Sequence, residues 1–165
     1  MKQLRSLLLT LAGLCATLPL AAQGRGSSSL VVTAQNVTAA TSGRADKSVA
    51  QPGDEIRYRL VFTNVTAGPV KNIQFVDPIP SGMVYVLGSA TSDPRVHAEY
   101  SIDGGKSYSA QPVIAVVQDG KTVEQPAPRE RYTHVRWTVL GSLAPGAKVT
   151  AEFRTQVNAA PSVAK

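Results

Sequence analysis

Few residues of this 165-residue chain have the types and spacing that metal or acid–base chemistry needs. His97 and Glu99 are two residues apart, so in an extended strand their side chains lie on the same face. His134, the second of the chain's two histidines, could complete a two-histidine, one-carboxylate metal site. Because the solvent face of a strand is polar in any case, the sequence favours a surface role for all three residues. We predict no metal ligands and no cofactor, and a secreted metal-dependent enzyme is the least favoured alternative.

Two Asp-Gly turns resemble fragments of calcium loops, in which several oxygen ligands surround the ion. They are Asp103-Gly104-Gly105 and Asp119-Gly120, and Asp77 and Asp93 add further carboxylates in predicted turns. Neither turn has the dense Asp-x-Asp-x-Asp pattern of a strong calcium site. Tight turns account for both segments, and calcium binding stays open as an alternative.

The motifs of nucleophilic, glycosidic and phosphate chemistry are missing from the sequence. There is no G-x-S-x-G sequence, and the single cysteine, Cys15, lies near the amino terminus. Glu124 and Glu130 flank a proline-containing segment without any sign of a partner, so a pair of glycosidase carboxylates is not indicated. There is also no glycine-rich phosphate loop. We therefore predict a protein without catalytic residues.

Alternating apolar and polar residues predict β-strands along most of the chain. After a turn at residues 51–54, Ile56, Tyr58, Leu60 and Phe62 alternate with other residues, which predicts a strand with one buried face. Further strands are predicted around residues 30–37, 73–75, 84–87, 96–102, 106–110, 113–117, 132–140 and 147–157, and residues 122–123 return from the turn that follows the strand at 113–117. Residues 38–50 are predicted as an irregular edge or loop and residues 125–129 as a loop, and no segment has the apolar stripe of a helix.

Some eight or nine strands separated by turns predict an all-β fold, an immunoglobulin-like antiparallel β-sandwich over residues 29–158. Its large core residues are expected to be aromatic. They are Tyr58, Phe62, Phe75, Trp137 and Phe153. Trp137 could instead be a stacking platform for a sugar, but its place in a regularly alternating strand favours the core.

Several of these segments resemble the bacterial conserved-repeat family known as domain of unknown function 11. The similar motifs are Pro52-Gly53-Asp54, the Tyr-x-Leu-x-Phe-x-Asn strand from Tyr58, the Asp-Pro-Ile-Pro-Ser-Gly step at 77–82, the hairpin at 99–106, and Trp137 followed by Leu143-Ala144-Pro145-Gly146. The resemblance covers roughly residues 29–157. It implies an immunoglobulin-like fold in a secreted or surface protein, although the family usually occurs in tandem copies and this chain has one. The family has no catalytic residues, so none is carried over.

Residues 1–22 have the features of a secretory signal peptide. Lys2 and Arg5 precede an apolar run over residues 7–20, which is too short to span a bilayer. We expect cleavage after Ala22, a flexible lead-in at 23–28 and a C-terminal tail at 159–165, and we expect a periplasmic or extracellular location. The leader looks bacterial, so the sequons at Asn36 and Asn64 are interpreted as strand and turn residues.

The charge pattern does not favour nucleic acid as a partner. Loss of Lys2 and Arg5 takes 17 basic residues to 15 against 11 acidic residues, so the formal net charge falls from +6 to +4. The basic residues are scattered singly rather than clustered, as nucleic-acid binding would require. No transmembrane segment is expected in the mature chain.

The sequence favours a non-catalytic structural or protein-interaction module of the bacterial cell envelope or surface, with an envelope or surface protein as its partner. A carbohydrate-binding module is the alternative, with Tyr85, Tyr100, Tyr108 and Tyr132 as candidate stacking residues.

The first predicted strand, at residues 29–37, is the candidate for contact with that partner. It carries neither charge nor proline, the usual protection of a sheet edge, whereas residues 95–121 contain both. We predict that a partner or a second copy pairs at this strand. Full pairing of the strand inside its own sheet is an equal alternative.

Overall fold

The computed structural model describes residues 29–44, 46 and 48–159. The predicted signal peptide at 1–22, the lead-in at 23–28 and residues 160–165 of the tail lie outside the described residues. Antiparallel strands make up most of the described part. The strands are β1 (Ser29–Asn36), β2 (Glu55–Thr63), β3 (Val70–Lys71), β4 (Gln74–Pro78), β5 (Met83–Tyr85), β6 (Thr91–Ser92), β7 (Val96–Ser101), β8 (Val113–Gln118), β9 (Lys121–Pro126), β10 (His134–Val139), β11 (Ser142–Leu143) and β12 (Lys148–Val157).

Two antiparallel sheets face each other. The first has the order β1-β2-β12-β5, with β6 also paired to β12, and the second has the order β4-β10-β7. Phe62 of β2 stacks on Phe75 of β4 with ring centroids 6.4 Å apart, and Trp137 of β10 packs on Phe153 of β12 at 5.6 Å. These contacts confirm the predicted all-β sandwich, because the inner side chains of both sheets meet in one core.

The order of the strands departs from that of an immunoglobulin constant domain. There, the first, second, fifth and fourth strands form one sheet and the third, sixth and seventh form the other. Without the two-residue β6, seven strands remain in the two facing sheets, and they divide in the same way, except that the fifth (β7) and the seventh (β12) have exchanged places. Strands β8 and β9 form a separate hairpin, and β3 and β11 form a small sheet of their own.

The core is aromatic at its centre, as predicted. Trp137 and Phe153 have no exposed surface, and Phe62 and Phe75 are also buried. Tyr58 lies at the margin and stacks on Phe153 with centroids 5.0 Å apart. Tyr85, which the sequence suggested as a sugar-stacking residue and not as part of the core, is only 1% exposed and belongs to the core.

Two of the predicted loops contain regular secondary structure. The first concerns residues 38–50, where a five-residue helix, α1 (Val37–Thr41), begins at an Asn36 cap whose side chain accepts a hydrogen bond from the Ala39 amide at 2.8 Å. A helix this short cannot display an apolar stripe, and only Ala39 is buried. The second concerns residues 125–129, where β9 continues through Pro126, opposite Val113. Proline is tolerated there because it ends a strand of an isolated two-stranded hairpin, and a short 3₁₀ turn follows at Arg129–Arg131.

The two Asp-Gly turns behave differently. Asp119 and Gly120 both have positive φ, 52° and 73°, and join β8 to β9 by the two-residue turn that this pair favours. The predicted strand at 106–110 is reduced to a single bridge between Tyr100 and Ser109, because the loop at Asp103 folds back on itself before it.

Candidate functional site

The three candidate metal ligands lie on one sheet face but do not converge. In the β7–β10 ladder His97 is opposite Thr138 and His134 is opposite Ser101, so roughly 14 Å of strand separates the two histidines. Glu99 lies between them, and its Oε2 accepts hydrogen bonds from Arg136 at 2.7 and 3.2 Å. The carboxylate is therefore committed to an ion pair. Among the described residues, no group of three or more His, Cys, Asp or Glu side chains could hold a metal ion.

The candidate calcium loop uses its aspartate internally. Asp103 Oδ1 accepts hydrogen bonds from the Ser101 hydroxyl at 2.7 Å and from the amides of Lys106 and Ser107 at 3.1 and 3.0 Å. Its Oδ2 accepts the Ser107 hydroxyl at 2.6 Å. The bonds from Ser107, followed by those from Ser101 and Lys106, hold the pKa of Asp103 far below its usual range. The negative charge of Asp103 thus stabilises the loop.

The remaining candidate carboxylates have separate roles. Asp93 Oδ1 accepts hydrogen bonds from the amide and side chain of Arg95 at 3.0 and 3.2 Å. Asp77 points into the margin of the core, where its Oδ2 is buried without a hydrogen-bond partner among the described residues. Burial raises the pKa of Asp77, which favours the neutral acid more than in an exposed aspartate. In the described part of the chain Asp77 has no histidine or second carboxylate as a hydrogen-bonding partner, so no general acid–base pair is formed there.

Both sequon asparagines are structural residues, as the sequence analysis predicted. Asn36 caps α1 and donates to Asp54 at 2.7 Å. Asn64 is completely buried and donates to the carbonyls of Gly68 and Leu143, both at 2.9 Å. The Asn64 amide therefore ties the turn after β2 to β11, a role that the isolated Asn-x-Thr pattern does not reveal.

Three of the four candidate sugar-binding tyrosines form a cluster. Tyr85 lies 5.1 Å from Tyr132 and 5.2 Å from Tyr100, measured between ring centroids, and its hydroxyl is 3.2 Å from the Tyr100 hydroxyl. The cluster lines a groove of about 350 Å³ together with Leu87 and other residues at the base of the β8–β9 hairpin. Tyr108 lies elsewhere, under the guanidinium of Arg136 at 4.0 Å. Because Tyr85 and Tyr132 stack face to face and Tyr100 packs against both at an angle, the ring faces in contact are closed to a sugar.

The first strand, β1, is the most exposed of the longer strands in the two facing sheets. All eight residues of β1 pair with β2, and in the described part of the chain β1 pairs with no other strand. The six residues between Ser29 and Asn36 are exposed on both faces of the strand. Of the two alternatives for this segment, the described residues show β1 as an edge strand and not as one enclosed by its own sheet.

The inner face of β1 is uncovered because the first sheet extends beyond the second. Leu30 and Val32 lie opposite Phe62 and Leu60, which point into the core. Leu30 and Val32 nevertheless remain 43% and 47% exposed. The reason is that β2 already packs over β4, the last strand of the second sheet on this side.

The other face of β1 is also apolar in part. Val31 is 53% exposed and lies beside Val61 of β2. The edge therefore combines an open row of backbone hydrogen-bonding groups with apolar side chains on both faces, and it lacks the charges and prolines that usually protect such edges. Strand β7 is the edge of the second sheet, and among the described residues its outer side has only the Tyr100–Ser109 bridge. This edge belongs to residues 95–121, the segment predicted to be protected by charge and proline.

The described residues include no helix of the length and hydrophobicity that crossing a membrane requires. No protein-family model matches the chain, and no curated protein matches it.

Proposed function

We propose that this chain is an exported, non-catalytic interaction module of the bacterial cell envelope or surface, and that it binds an extended segment of its partner at the β1 edge. The conserved-repeat motifs and the leader sequence support the class and the location. The observation that carries the proposal is the exposure of β1, an eight-residue uncharged strand that is paired on one side and has exposed apolar side chains on both faces.

Strand addition uses the groups that β1 presents. Main-chain amides and carbonyls along a sheet edge pair with any extended segment, and alternate side chains select among such segments. An added strand would pack beside Leu30 and Val32 on the inner face and beside Val31 on the outer face. Since burial of a whole Val or Leu side chain contributes roughly 1.5–3 kcal/mol, even partial cover of these three residues favours binding.

The non-catalytic part of the proposal rests on how the reactive side chains are used. Glu99 is paired with Arg136, Asp103 holds its own loop, and the two histidines lie far apart on the ladder. Both carboxylates thus have structural partners that explain their positions without a substrate.

Carbohydrate binding is a second candidate, and the groove beside Tyr85, Tyr100 and Tyr132 is the observation that favours it. A glycan array probed with the protein separates the two candidates. If the protein binds a glycan and Tyr132→Ala abolishes that binding, the result supports the groove. If no glycan binds, the β1 edge remains as the candidate surface.

Photocrosslinking in exporting cells tests the β1 proposal. A photoreactive phenylalanine analogue replaces Val32 in the full chain, and in a matched control it replaces Val117, which is 77% exposed on β8. We expect a discrete adduct from position 32 and none from position 117. Equal labelling from the two positions, or no adduct from position 32, would contradict the proposal. The mass of the adduct identifies the partner, and either a second copy or a different envelope protein is consistent with the proposed function.

A further inference from the structure

We infer that the partner strand is β1 of a second copy of this chain, paired antiparallel about a twofold axis at Val32. This inference rests on the proposed function, in which the β1 edge binds an extended strand. It adds the identity of the partner and the register of the pairing.

The symmetry of the pairing determines which side chains meet. When a twofold axis runs perpendicular to the sheet, one residue of β1 faces its own copy, and residues at equal distances on either side of it face each other. Such an axis keeps the inner face of both strands on the same side. The exposed Leu30 and Val32 of the two copies therefore join in one apolar surface, next to the core of each sandwich.

A centre at Val32 gives matched pairs. Leu30 then lies opposite Ala34 of the second copy, so a large side chain meets a small one, and Val31 lies opposite Thr33, a pair of β-branched residues that suits adjacent strands. Residues 29–35 are paired, and only Asn36 is left out. Its side chain is already used by the Ala39 amide and by Asp54.

The two neighbouring centres fit less well. A centre at Val31 pairs only residues 29–33 within the strand. A centre at Thr33 places Leu30 opposite Asn36, whose amide is engaged elsewhere. Neither combines the length and the large–small match that a centre at Val32 provides.

Charge also favours a second copy. Near a twofold axis any charged side chain meets its own like charge, so a strand that pairs with itself must be uncharged at its centre. No residue of β1 is charged, and the nearest arginine on the outer face, Arg59 beside Thr33, is paired with Glu152 at 3.3 Å. The contact involves one strand from each copy and is smaller than a standard interface, so we expect a reversible dimer.

Single-cysteine variants test the register. Cys15→Ser removes the only cysteine of the sequence. Val32→Cys, Val31→Cys or Thr33→Cys then introduces a single cysteine into β1 of that variant. With the axis at Val32, the two cysteines introduced at position 32 are directly opposite each other and within disulfide range. A cysteine at position 31 or 33 instead lies roughly 8 Å from its own copy, beyond that range. We expect at least about tenfold more disulfide-linked dimer from Val32→Cys than from either neighbour. A maximum at position 31 or 33, or equal cross-linking at all three, would overturn the inference.

Sedimentation velocity over a rising concentration series tests the second copy itself. The unmodified chain should shift from monomer to dimer, Val32→Lys should remain monomeric because two like charges meet at the axis, and Val117→Lys should still dimerise. Thermal melts establish that the variants fold. Suppose that the unmodified chain stays monomeric and that the position-32 photoadduct contains a different envelope protein. This result overturns the inference of a second copy and leaves the proposed function standing. A monomeric chain without any position-32 adduct overturns both.

Discussion

Val32 lies directly opposite Leu60 in the β1–β2 ladder, yet Val32 is 47% exposed and Leu60 is 1% exposed. The two side chains point to the same side of one sheet. Only the second is covered by the facing sheet, because β4 ends that sheet beneath β2.

This difference predicts unequal effects of truncation. Leu60→Ala should lower the free energy of unfolding by about 2–5 kcal/mol, because it leaves a cavity in the core. Val32→Ala should change it by less than about 0.5 kcal/mol, as for other surface positions. Urea denaturation at a protein concentration that keeps the chain monomeric measures both. If the two variants lose similar stability, the inner face of β1 is covered in the folded protein.

Asp77 is predicted to destabilise the protein at neutral pH. Burial raises the pKa of its carboxyl. The stability that comes from its bound proton is therefore complete below the unfolded-state pKa of 3.8 and is lost as the pH rises through the folded-state pKa. Asp77→Asn removes the charge and should raise the free energy of unfolding at pH 7 by about 1 kcal/mol. The difference from the unmodified chain should shrink towards pH 4. Denaturation curves at both pH values provide the test, and a benefit that does not depend on pH would contradict the assignment.

Asp54 should have the opposite pH dependence. Hydrogen bonds from Arg44, from the Gln51 amide and from Asn36 lower the pKa of Asp54 to about 2. Its contribution to stability is therefore present above the unfolded-state value of 3.8 and is lost as the pH falls through about 2. Asp54→Asn should lower the melting temperature at pH 7 and have little effect at pH 2.

Asp46→Asn is the matched control for Asp54. Asp46 is exposed, and its carboxylate accepts hydrogen bonds from Ser48, two residues away, at 2.8 and 2.6 Å. The control should change the melting temperature less than Asp54→Asn does at pH 7. Equal effects of the two substitutions would mean that the cluster of Asn36, Arg44 and Asp54 does not secure α1 to β2.

Calcium is predicted not to stabilise this protein. Both carboxylate oxygens of Asp103 accept hydrogen bonds from within the loop, and an ion would have to displace them. Millimolar calcium should leave the melting temperature unchanged, whereas Ser107→Ala should lower it because the Ser107 hydroxyl donates one of the bonds to Asp103. A rise in melting temperature with calcium that disappears in Asp103→Asn would show that the loop is an ion site.

Local chemistry explains most of the strands and turns that the sequence predicts. The alternation of Ile56, Tyr58, Leu60 and Phe62 indicates one buried face of β2 without reference to the rest of the chain, because successive side chains of a strand point to opposite sides. Asp119-Gly120 likewise determines its own turn. The short helix α1 escaped prediction because its five residues are stabilised by an Asn36 cap and one buried contact and show no periodic pattern.

The candidate site depended on pairings between distant parts of the chain. The composition of residues 29–36 marks an unprotected strand, but only the pairing of β2 with β12, some ninety residues later in the chain, leaves β1 at the edge of its sheet. Burial of Tyr85 in a tyrosine cluster and separation of His97 from His134 also depend on which strands become neighbours. The sequence by itself therefore determined strands, turns and the aromatic composition of the core, since these follow from neighbouring residues. Tertiary structure alone decided which apolar side chains are covered, because exposure depends on the facing sheet and not on the strand that carries them.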